Sequence, residues 1–205
     1  SLCISILGVR MVYTGSYRYI FLVWNLFLAW LPVVGALTSY NLSNRTSKRV
    51  WLPVCLCACL WLLFLPNAPY LITDLVHLKA RNDFLYWFDL VMFISFAWTG
   101  IFLGLVSLYL MQEVVKKVAS VWASWVFVVI VIGLSSFGIY LGRFPRWNSW
   151  DIATQPTILM ADIWERVTHP VAHLQTFAFS GLFSLFLLTT YLMLLAATYL
   201  RNERE

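Results

Sequence analysis

Two stretches of this chain carry side chains whose types and spacing suit chemistry. The first runs Pro66-Asn67-Ala68-Pro69-Tyr70-Leu71-Ile72-Thr73-Asp74-Leu75-Val76-His77-Leu78-Lys79-Ala80-Arg81. Wound as a helix, it sets Tyr70, Thr73, Asp74, His77 and Arg81 on one stripe at three- and four-residue steps, with Leu71, Leu75 and Leu78 opposite. A phenol, a carboxylate, an imidazole and a guanidinium in a row suit acid/base work or ligand binding, whereas a helix lying on lipid commonly scatters lysines over its polar side. The second stretch is Gly142-Arg143-Phe144-Pro145-Arg146-Trp147-Asn148-Ser149-Trp150-Asp151. Two guanidiniums, an amide, a hydroxyl and an acid within ten residues can grip a carboxylate or phosphate. The plain alternative is an interfacial belt, with arginines snorkelling and tryptophans at headgroup depth.

Other candidates carry less. His169 and His173 stand four apart, as metal ligands on a helix face do, but Pro170 lies between them and no Glu completes a His-Glu-x-x-His motif. Cys55, Cys57 and Cys59 sit in an apolar run without Cys-x-x-Cys spacing, which points to packing rather than metal or redox chemistry. There is no Ser or Cys nucleophile with an adjacent base.

The elements that position these residues follow from composition. Of 205 residues, 61% are hydrophobic and only 11% charged, and the mean hydropathy is +0.79. Such a chain must turn apolar surface to lipid, because a water-soluble domain carries about a quarter charged residues. The net charge of +5 is not gathered into a patch of nucleic-acid size, so the bilayer is the expected partner and nucleic acid is not. Apolar runs at Ile20–Tyr40, Val50–Leu65, Phe84–Leu110, Val118–Leu141 and Thr176–Leu200 read as five spans. Ser1–Tyr13 is apolar, interrupted by Arg10 and too short to span, and reads as the end of a sixth, incomplete one. The expected fold is therefore all-α: a polytopic transmembrane helical bundle forming a single domain over 1–205.

Finer features follow. Pro66 and Pro69 should break the second span, with Asn67 capping a separate amphipathic helix over 69–80. Asn25, mid-span, should hydrogen-bond another helix, and Pro32 should bend its own. Gly100/Gly104 and Gly138/Gly142 should let helices approach closely, inside the bundle or across a dimer face. Lys and Arg crowd the short connections 41–49 and 111–117 and the tail, so these and the C-terminus are expected in the cytoplasm of a cell-membrane protein. The longer segments 66–83 and 142–175, the latter helical over Thr157–Val167, then share the opposite face. There Tyr70, Asp74 and His77 are expected to meet Arg143, Arg146, Asn148 and Asp151 as one polar site for a small anion or a metal ion.

The strings Trp24–Pro32, Leu63–Leu78 and Gly138–Ile152 resemble those of bacterial membrane proteins grouped as domain of unknown function 1361. The resemblance covers nearly the whole chain and implies the six-helix arrangement, without implying an activity. The positions that match are Asn67, Pro69, Tyr70, Asp74, His77, Arg143, Arg146, Trp147, Asn148, Trp150 and Asp151. Of these, Asn67, Pro69, Trp147 and Trp150 read as structural and the rest as ligand-binding. Three functions fit: binding or transport of a small ligand, a membrane enzyme acting on a lipid or lipid-linked phosphate through His77 and Asp74, and a subunit docking membrane-protein partners.

Overall fold

A computed structural model describes residues 2–45, 50–78 and 84–202. Among these, all regular structure is helical: α1 (Leu2–Thr14), α2 (Phe21–Ser43), α3 (Trp51–Phe64), α4 (Asn67–Tyr70), a 3-10 segment (Leu71–His77), α5 (Phe84–Val118), α6 (Val121–Arg143), α7 (Asp151–Thr154), α8 (Pro156–Thr168) and α9 (Leu174–Asn202). Among the described residues five stretches are long and apolar enough to cross a membrane: α2, Trp51–His77, α5, α6 and Leu174–Tyr199. The chain is a multi-pass membrane protein, and it divides into two compact units, Ser1–Val114 and Val115–Glu205.

In the first unit the spans are sided by their own periodicity. Along α2, Leu22, Leu26, Ala29, Val33 and Ala36 are buried, while Trp24, Phe27, Trp30, Val34 and Leu37 are exposed. Both stripes are apolar, and only lipid accommodates the outer one. Along α5, Phe93, Phe96, Gly100, Leu103 and Ser107 turn inward while Trp98 and Phe102 turn outward. These inner stripes join Cys3, Leu7, Tyr19, Ala68 and Leu71 in one core. Helix α1 ends at Gly15, whose φ of 62° sends its N–H back to the Met11 carbonyl at 2.9 Å. A left-handed residue there closes the last helical turn, and glycine takes it without a Cβ clash.

The segment after α3 departs from expectation. α-Helical bonding stops at Phe64, but Leu65 and Pro66 keep right-handed helical angles, so the chain tightens rather than breaking away. Pro66 and Pro69 lack N–H groups, and Ala68 N–H bonds Leu65 three residues back. Asn67 is not the N-cap. Pro66 holds that position, and the Asn67 amide instead donates to the Phe64 carbonyl at 3.0 Å. A second departure is at 111–117, which is not a loop: α5 continues through Val118. The turn is left to Ala119 and Ser120, whose hydroxyl caps α6 by accepting from Ala123 N–H.

In the second unit α6 and α9 run antiparallel. Trp125 meets Tyr191 near one end of the pair, and Tyr140 meets Phe179 near the other. Phe144 stacks on Tyr140 and meets Phe179 edge-on, so aromatic rings fill the end of α6 from which the 144–150 loop departs.

Candidate functional site

The polar stripe expected over 70–81 is divided. In a 3-10 helix every third residue is in line, so Asp74 falls behind Leu71 rather than beside Thr73. Both are buried, Asp74 to 1% exposure, and Leu75 and Leu78 pack beside them against the core. The Thr73 hydroxyl turns back to the Tyr70 carbonyl at 2.7 Å. His77 is exposed and meets the Phe21 ring edge-on. Residues 79–81 lie outside the described residues.

Asp74 is met from α2. Asn25 donates its side-chain amide to Asp74 Oδ2 at 2.8 Å, which is the interhelical bond expected of a mid-span Asn. Burying a carboxylate among leucines is costly unless it is hydrogen-bonded, and the amide supplies such a bond.

A second buried polar cluster in this unit was not anticipated as a site. Arg10 of α1 forms a two-pronged pair with Asp89 of α5, Nε to Oδ1 at 2.8 Å and Nη2 to Oδ2 at 3.2 Å. The guanidinium lies over the Tyr19 ring, 4.3 Å from its centre, and Nη1 donates to Thr14 Oγ1. The signal was present. Arg10 is the only charge in α1 and Asp89 the only charge in α5 before Glu113. Opposite lone charges in two apolar helices find each other because neither survives alone in such surroundings.

In the second unit the Arg/Trp loop is held by its own polar groups. Asp151 Oδ2 accepts the Asn148 backbone N–H at 2.7 Å and its side-chain amide at 3.3 Å, while Oδ1 accepts from Thr154 at 3.2 Å. A carboxylate reaching three residues back in this way closes the turn that leads into α7. Removing it by Asp151→Ala is expected to destabilise the chain by about 1 kcal/mol, checked by thermal unfolding in detergent. Trp147 sends its backbone N–H to the Leu141 carbonyl at 3.0 Å and its indole N–H to Asp162 Oδ2 at 2.8 Å. Asp162 Oδ1 in turn accepts from Arg166 Nη2 at 2.8 Å, and Arg166 Nη1 donates to the buried Thr176 hydroxyl at 3.2 Å. Asp162 and Arg166 are four residues apart on α8, a spacing legible in the sequence, but their turning inward was not.

Arg146 immediately precedes these anchors, inside the turn that the Trp147–Leu141 bond closes. Its φ of 68° makes it the one non-glycine residue with positive φ among the described residues, and its side chain is exposed. Arg143 closes α6, where a cation also suits the helix dipole. Trp150 is partly exposed at the start of α7.

His169 and His173 lie on the turn between α8 and α9. His173 Nε2 is 3.6 Å from Glu165 Oε1, and His169 Nδ1 is 3.0 Å from Thr168 Oγ1. Among the described residues no three His, Cys, Asp or Glu side chains come together as metal ligands would.

An all-helical chain with five apolar spans, buried polar pairs between helices and a clamped Arg/Trp loop is a polytopic α-helical membrane protein. It belongs to the family described as protein of unknown function (DUF1361), whose model matches residues 24–190. No curated protein and no solved structure matches the chain.

Proposed function

We propose that this membrane protein binds a small anion, a carboxylate or phosphate, through the guanidinium of Arg146, with Arg143 three residues earlier in the chain adding positive charge, as a binding or transport component. The observation that carries the reading is the backbone of Arg146. Holding a non-glycine residue in the left-handed region costs about 1–2 kcal/mol, and the Trp147 N–H bond back to the Leu141 carbonyl, which closes the turn that contains Arg146, supplies the restraint together with the Asp151 bonds that follow. The acid and the amide of the loop are occupied in holding it. Among the described residues nothing pairs with the Arg146 guanidinium, so its fork of donors faces outward with capacity to spare. Extending the Lys/Arg asymmetry of the short connections, we place this loop on the non-cytoplasmic face. A reporter fused after Glu205 checks that orientation.

The test is Arg146→Gly, which removes the guanidinium and leaves a residue suited to the backbone. With the full chain in phosphatidylcholine nanodiscs, calorimetric titration with inorganic phosphate and with acetate is expected to show binding weakened about tenfold or more, while the unfolding temperature holds or rises. Unchanged binding of both probes would end the reading. Turnover of a lipid phosphate lost in His77→Ala would make the chain an enzyme instead.

A further inference from the structure

Helix α8 is turned inside out for a helix facing water. Its i, i+4 ion pair, Asp162 and Arg166, faces the protein, bonded to Trp147 and Thr176, with Leu159 buried alongside. Its large apolar side chains face out. Met160, Trp164 and Val167, at successive steps of four and three, are 50%, 70% and 54% exposed. Thirteen residues make a rod of about 20 Å, short of the roughly 30 Å of a hydrocarbon core, so this is not the lipid face of a span. Beyond the helix the apolar surface continues through Val171, 88% exposed, to Leu174, 69% exposed. Leu174 is the first residue of α9, whose apolar stretch is long enough to cross the membrane. Glu165, also exposed, stands about a quarter turn round from Trp164 on the flank of the stripe.

We infer that α8 lies in the plane of the bilayer, its Met160/Trp164/Val167 stripe embedded at the boundary between headgroups and acyl chains. The occupant of that stripe is lipid, because seven residues after Val167 the chain reaches Leu174, the exposed first residue of a helix long and apolar enough to cross the membrane. The inward ion pair fixes the rotation of α8 and keeps the stripe turned away from the protein. Tryptophan at the centre of the stripe suits the depth, since an amphipathic ring favours the headgroup zone.

The experiment places p-benzoylphenylalanine singly at 160, 164 or 167, and at 161 or 165, in the full chain in phosphatidylcholine vesicles. After irradiation, mass spectrometry is expected to find lipid adducts at the first three positions in at least about fivefold excess over the other two. Equal lipid labelling of the two sets, or chain-to-chain adducts at 164, would overturn the inference, the latter by making the stripe a contact between copies. A second measurement avoids the bulky probe. The difference in tryptophan emission between the native chain and Trp164→Phe should be quenched more by lipids brominated near the headgroup than by lipids brominated deep in the chain. Absence of quenching by either lipid would also overturn it.

Discussion

Asp89→Ala is expected to destabilise the protein by about 3–5 kcal/mol, because it leaves the Arg10 guanidinium buried without its counter-charge. Both residues are under a tenth exposed, and their two hydrogen bonds satisfy both carboxylate oxygens. Thr14 and the Tyr19 ring remain near Arg10 in the variant, but neither carries a charge. Replacing both members, as Arg10→Met with Asp89→Leu, is expected to recover most of the loss, since a matched apolar pair carries no desolvation cost. Thermal or steric-trap unfolding of the two variants checks this. A single variant within about 1 kcal/mol of the parent would show that water reaches the pair and relieves it.

How the spans were legible and the site was not has one physical cause. A span is a local property, written in twenty consecutive residues whose backbone has no partner but itself. The expected Ile20–Tyr40 therefore reappears as Phe21–Ser43, and Val118–Leu141 as Val121–Arg143. Charge alone makes Lys116 and Lys117 read as a loop. A helix end accepts lysines readily, since they suit its dipole and reach to water, so α5 runs on to Val118.

The polar residues answer to distant partners instead. The α-helical period puts Asp74 on the 70–81 polar stripe, but after Pro66 and Pro69, three residues apart, the chain takes the 3-10 period, which moves Asp74 into line with Leu71. Asp74 then needs a bond inside the core, and Asn25, 49 residues away, makes it. The strings that single out Trp147 and Asp151 are informative, but as structure: one ties the loop to α8 and the other closes the turn before α7. Asp162 and Arg166 belong to the same network and lie outside those strings, in a stretch read only as helical. No periodicity shows that an ion pair on a short helix faces inward while tryptophan faces out.

The two glycines of the Gly100/Gly104 step are expected to respond differently to alanine, which tests whether the step packs inside the bundle. A Cβ on Gly100 would collide with the Ala68 carbonyl oxygen and come within 2.7 Å of Leu71 Cδ1. The carbonyl belongs to α4, held by Pro66 and Pro69, and backbone cannot rotate out of the way as a side chain does. A Cβ on Gly104 would rest 3.4 Å from Ala68 Cβ and 3.4 Å from Pro69 Cδ, an ordinary contact. Gly100→Ala is therefore expected to cost about 3 kcal/mol or more, at the upper end of overpacking effects. Gly104→Ala is expected to be neutral or to stabilise by up to about 1 kcal/mol through helix propensity. Because α4 leads directly into the 3-10 segment, the displacement in Gly100→Ala should also loosen the Asn25–Asp74 bond, raising amide exchange over 71–77. Equal effects of the two substitutions, or exchange unchanged over 71–77, would mean that α4 does not rest on this face of α5.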